Sequence, residues 1–150
     1  MADTEKVIDL LHKLVDTCRD GENGYSDAAE HISDSELRAY FNDQSLERAR
    51  FAGDLQQILV RLGENKVSSE GSLGGKIHRT WIDLKSNLGG GDKAILDAVE
   101  AGEDKAKEVY EEALRQPLPE DILATIRVQA QSVIAAHDQV KLFRDRKKAA

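Results

Sequence analysis

The stretch CRDGENGYSDAAE, residues 18–30, holds an Asp-Gly pair at 20–21 and an Asn-Gly pair at 23–24. Either pair, read locally, signals a turn. The apolar residues around them point the other way. Val7, Leu11, Leu14, Cys18, Gly21, Tyr25, Ala28 and Ile32 recur at alternating steps of four and three, the spacing of a helix face packed on a core. Both glycines fall inside that pattern, so the stretch reads as helix. A glycine costs about 1 kcal/mol relative to alanine in a helix interior, and packing along a long face offsets that. Glycine at position 21 also leaves room for a neighbouring side chain, with Glu22 at the border of the core.

Working outward, the spacing predicts a first helix over about 4–32, started by Asp3 or Thr4 as cap. HISDSELRAY ends it and supplies Ser33, Asp34 and Ser35 as caps for a second helix over 35–62. That helix has Leu37, Phe41, Gln44, Phe51, Leu55, Ile58 and Leu62 on its inner face, and Glu47 or Arg48 must fill the gap. Gly63 is placed to stop it. The short link makes the two an antiparallel hairpin. Residues 63–91 form a long connection, in which KIHRTWIDLKSNL is expected as a short helix with Ile77, Trp81, Leu84 and Leu88 on one side. A third helix over 92–116, capped by Asp92, carries Leu96, Val99, Glu103, Ala106, Tyr110 and Ala113. QPLPED breaks the chain, and a fourth helix over 119–145 carries Ile122, Ile126, Ala130, Val133, His137, Val140 and Arg144. Two hairpins joined by a crossover give an all-α four-helix bundle, one domain over residues 1–150.

Composition agrees with this reading. The chain has 150 residues, enough for a real core. Only two are proline, and a third are charged, which suits helices. The net charge of −7 argues against nucleic acid or an anionic membrane as partner. The basic end KLFRDRKKAA is read as cations offsetting a helix dipole. Cys18 is the only cysteine, so no disulfide forms within the chain. MADTEKVIDLL lacks the apolar run of a signal peptide, and no stretch is apolar enough for a membrane span. The cytoplasm is the expected compartment.

The inner faces are not purely apolar. Glu22 and Glu47 lie at similar distances on either side of the first turn, so antiparallel helices place them at one height. Glu100 and Glu103 precede the second turn, and Gln131, Ile134 and His137 follow it at comparable distances. Buried carboxylates require a cation. One source is a metal held by inward-facing Glu and His. The other is Arg50, one turn after Glu47, whose guanidinium would pair with Glu22, Glu47 or Glu103.

The two-hairpin layout and the stretches DGENGYSDAAE, SLERARFAG, LDAVEAGEDKAKEVYEEAL and AAHDQVK resemble a bacterial family of uncharacterised proteins in the ferritin-like superfamily. The resemblance covers nearly the whole chain and implies a ferritin-like four-helix bundle. It implies a carboxylate and histidine site for iron or another divalent metal, with Glu22, Glu47, Glu103 or Glu100, and His137 as ligands. It also implies a link to iron or oxidative stress. Tyr25 and Tyr110 would stand behind such a site, or fill the core. Two positions depart from the superfamily's pattern: Arg50 replaces the histidine on the second helix, and Ile134 the acidic residue on the fourth. Gln131, one turn away, is a weak substitute.

GSLGGKIH fails as a phosphate loop, because Ile77 stands where Ser or Thr would hold magnesium. His78 and Trp81 mark either an association surface or a cover for one end of the bundle. Two functions follow: a metal-binding protein with a degenerate carboxylate site, or a non-catalytic structural or interaction module, self-associating, with a metal-free polar core around Arg50. Arg50 discriminates them by pointing inward or outward.

Overall fold

The computed structural model describes residues 3–64, 81 and 89–149, with side chains as far as Lys147. These contain four helices and, among the described residues, no strand: α1 (Thr4–His31), α2 (Ser35–Arg61), α3 (Gly91–Leu114) and α4 (Glu120–Ala149). The expected short helix around Ile77, Leu84 and Leu88, together with His78 and the GSLGGKIH loop, lies outside the described residues. Trp81 is the exception.

Local chemistry sets the ends. The Asp3 carboxylate accepts from the Glu5 amide at 3.0 Å and caps α1. Asp34 caps α2 by accepting from the amides of Glu36 and Leu37. At the far end of α2, Gly63 takes φ +86, a left-handed conformation that favours glycine, and Glu64 donates back to the Leu59 carbonyl. Asp92 does not cap α3, which begins one residue earlier. Its carboxylate instead accepts from the amides of Ser33 and Asp34, at 2.8 and 3.1 Å, tying the start of α3 to the α1–α2 link. Pro119 immediately precedes α4, and its carbonyl accepts from Leu123.

α1 packs along α2 and more lightly on α3, α3 packs along α4, and α2 touches α4. The core between them is made largely by the faces that the spacing predicts, except that on α2 Gln44, Phe51 and Leu62 are only half-buried and Ala52 and Leu59 join Leu37, Phe41, Leu55 and Ile58 in the core. Every residue of the α1 series from Val7 to Ile32 is buried, the two glycines' helix included, and so is every residue of the α3 series from Leu96 to Ala113. α4 differs by one position toward its end. Ala136 and Phe143 are buried, whereas His137 and Arg144 are partly exposed. The buried positions Ile122, Ile126, Gln129, Val133, Ala136, Val140 and Phe143 keep alternating steps of four and three, whereas the expected series takes two steps of four at its start and so runs ahead of the packed face at His137 and Arg144. No described helix is long and apolar enough to cross a membrane.

Candidate functional site

Among the described residues the largest fully buried side chain is a cation, Arg48 of α2, 1% exposed. It fills the gap in the α2 face that Glu47 or Arg48 had to occupy. Its Nη2 donates to Glu103 Oε2 of α3 at 2.6 Å, and Glu103 is fully buried. Burial alone would lower the guanidinium's pKa, but the Glu103 charge and hydrogen bond outweigh it and the net shift is upward. The guanidinium therefore keeps its charge in the core.

The glycines of the opening stretch explain how so large a group fits. A β-carbon at position 21 would lie 2.9 Å from Arg48 Nη1. One turn on, Tyr25 presents its ring to the guanidinium, with Arg48 Cζ 5.5 Å from the ring centroid, within reach of a cation–π attraction. Burial, then the nearby Glu103 carboxylate, hold the Tyr25 hydroxyl well above its ordinary pKa, so it stays neutral. Beyond Tyr25 lies Trp81, ring centroids 5.7 Å apart. Its indole sits between two backbones. A β-carbon on Gly24 would come within 2.0 Å of Cε3, and one on Gly102 of α3 within 2.5 Å of Cε2 and Cζ2. Gly21, Gly24 and Gly102 are thus notches in two helices that admit one guanidinium and one indole.

A second buried network crosses all four helices. The Cys18 thiol lies 3.0 Å from the Tyr110 hydroxyl, which donates to Gln129 Oε1 at 2.9 Å. Gln129 Nε2 in turn donates to the Phe51 carbonyl. Burial pushes the Cys18 thiol up to about 11 and raises Tyr110 as well, the neighbouring Cys18 adding to it. Both are neutral near pH 7.

The remaining sequence candidates lie outside these two networks, and most have other partners. Arg50 is corrected: it is 73% exposed and, among the described residues, reaches only Glu47, at 3.7 Å. With Arg48 pointing inward, a residue two positions later is rotated about 200° away. Glu47 also accepts from Ser132 of α4. Glu22 pairs with Arg19 at 2.8 Å, and Glu100 with Arg144. His137 is held by Asp104 through Nε2 at 2.6 Å and by Asp138 through Nδ1 at 3.0 Å. Gln131 is exposed, and Gln129, two residues earlier, is the buried amide. The signal for Gln129 was its place three residues after Ile126, next to Ala130. Tyr110 serves Cys18 and Gln129 rather than a carboxylate. Among the described residues, no three His, Cys, Asp or Glu side chains are grouped to hold a metal ion. Of the four expected ligands only Glu103 is fully buried, and a cation already occupies it. The residues present do not fit a carboxylate-bridged metal pair.

A family model described as a domain of unknown function (DUF2383) matches residues 6–116. The chain belongs to this family, and the matched span contains the glycine notches, Arg48, Trp81 and Glu103. The comparison with curated proteins gives no match.

Proposed function

We propose that this chain is a non-catalytic structural or protein-interaction module whose core is closed by an internal ion pair in place of a metal. In this reading the four helices form a ferritin-like bundle of two antiparallel hairpins joined by the 63–91 crossover. The order of contacts supports that topology: Arg19 of α1 reaches Gln56 of α2, while Glu22, later in α1, accepts from Ser45, earlier in α2. The cytoplasm is the proposed compartment, in keeping with the single buried thiol of Cys18.

The observation that carries the reading is the Arg48–Glu103 pair. Arginine cannot be deprotonated at any working pH, so a guanidinium fixed against Glu103 supplies a permanent positive charge to the one expected ligand that is fully buried. A buried pair of this kind adds little net stability over apolar residues, but it penalises any packing that separates its partners. Such a device suits a scaffold that must hold one helix register.

Elemental analysis of untagged protein from iron-supplemented cells tests this, with Glu103→Gln and Glu47→Ala beside it. The reading predicts no stoichiometric metal in any of the three. Stoichiometric iron, manganese or zinc in the wild type, lost in either variant, would overturn it and restore the metal site of Glu22, Glu47, Glu103 and His137.

A further inference from the structure

The outer face of α2 carries two large apolar side chains, Leu46 and Val60, 70% and 59% exposed. Between them lies Gly53, where an added β-carbon would meet nothing within 4 Å. Asp43, Arg50, Asp54 and Arg61 are exposed on the same helix. At about 100° per residue all seven positions fall within roughly one third of the helix circumference. Among the described residues, Arg50 has only the 3.7 Å contact with Glu47 and is 73% exposed, so its charge is largely open to another partner.

We propose that this face binds the same face of a second copy of the chain, antiparallel, with the two-fold axis level with Ala52–Gly53. The charges select that geometry. Asp43 and Arg61 are equidistant from residue 52, and so are Arg50 and Asp54. One register therefore sets Asp43 opposite Arg61 of the second copy and Arg50 opposite its Asp54, and the two-fold repeats both contacts. The same register brings Leu46 within a turn of the other copy's Val60. Gly53, lacking a side chain, lets the two backbones approach closely at the axis. A parallel pairing would set Arg50 against Arg50 and Asp54 against Asp54. The face is self-complementary only when antiparallel. The proposal rests on the interaction-module reading above. Metal content tests that reading and association tests this one, so either can fail alone.

Sedimentation velocity of the full chain over a wide concentration range is the experiment, with helicity checked by circular dichroism. The wild type is expected to pass from monomer to dimer. Leu46→Glu, Arg50→Asp and Asp54→Arg should each weaken the dimer by at least about tenfold, since every lost contact counts twice. Val128→Glu, at a comparably exposed apolar site on α4 (65%), should leave it unchanged. Mixing Arg50→Asp protein with Asp54→Arg protein should restore association, because opposite charges then face each other in the heterodimer. A wild type that stays monomeric throughout, or a dimer indifferent to these α2 variants, overturns the proposal. Single variants that dissociate but do not recover on mixing overturn the register.

Discussion

Gly24 and Trp81 meet so closely that a β-carbon on the glycine would stand 2.0 Å from the indole Cε3. The indole also faces Gly102 across the gap to α3, so it cannot retreat without moving a second helix. Gly24→Ala therefore pits a helix-propensity gain of about 1 kcal/mol against overpacking of about 1–3 kcal/mol or more. Net destabilisation is expected in urea unfolding, with a shifted Trp81 emission. Gly21→Ala should cost less, since its methyl group meets the end of an arginine side chain. Gly53→Ala, facing open space, should stabilise the monomer by up to about 1 kcal/mol.

The paired glutamines offer a contrast within one turn of α4. Gln129→Ala strips Tyr110 of its acceptor and the Phe51 carbonyl of its donor inside the core, and a loss of about 1–3 kcal/mol is expected. Gln131→Ala, on the exposed side, should stay within about 0.5 kcal/mol of wild type. Equal effects in chemical denaturation would contradict the placement of these two side chains.

Alkaline stability follows from Cys18. Its folded pKa of about 11 lies above the ordinary 9.0, so the folded state holds a proton that the unfolded chain releases between those values. Stability is fully present below pH 9 and falls as pH rises toward 11, by about 2–3 kcal/mol from this thiol alone. The raised Tyr25 and Tyr110 act in the same direction at higher pH. Cys18→Ala should flatten the first part of that decline, read from urea midpoints at stepped pH.

At the acid end, Asp92 keeps its charge to a lower pH than usual, because the amides of Ser33 and Asp34 and the Lys147 ammonium outweigh the cost of its partial burial. A depressed carboxylate stabilises the fold above its unfolded pKa and ceases to as pH falls through the folded one. Stability should therefore decline below about pH 4. Asp92→Asn should lessen the slope, and thermal melts at pH 3, 4 and 6 would show it.

The helices were legible because one kind of signal, the four-three spacing of inward-facing residues, runs unbroken through α1 and, with Glu103 as a charged member, through α3. It overrode the two turn-like dipeptides because Gly21 and Gly24 keep the helical phase. It also required room beside Gly21, and Arg48 occupies that room. The site was legible only in part. Glu47 and Arg48 differ by 100° around α2, and spacing alone left both open. Reading Arg50 as the internal cation followed from its distance to Glu47, yet the packed face belonged to Arg48. A count that takes two steps of four at the start of α4 puts His137 inward, whereas the packed face takes Gln129 and Ala136, and His137 binds Asp104. Trp81 between Gly24 and Gly102 could not be read at all. It joins residues remote in sequence, and a glycine's use as a notch depends on what stands opposite it.

The most direct measurement is a double-mutant cycle on the buried pair, in chelator so that no metal contributes. Arg48→Met and Glu103→Leu are made singly and together, and unfolding free energies are compared. An internal ion pair predicts that each single change costs about 3–5 kcal/mol by leaving one charge buried alone, while the double variant returns to within about 1–2 kcal/mol of wild type. Folding of the double variant where neither single variant folds would give the same answer. Two mild single effects that simply add would contradict the claim that Arg48 and Glu103 neutralise each other in the core.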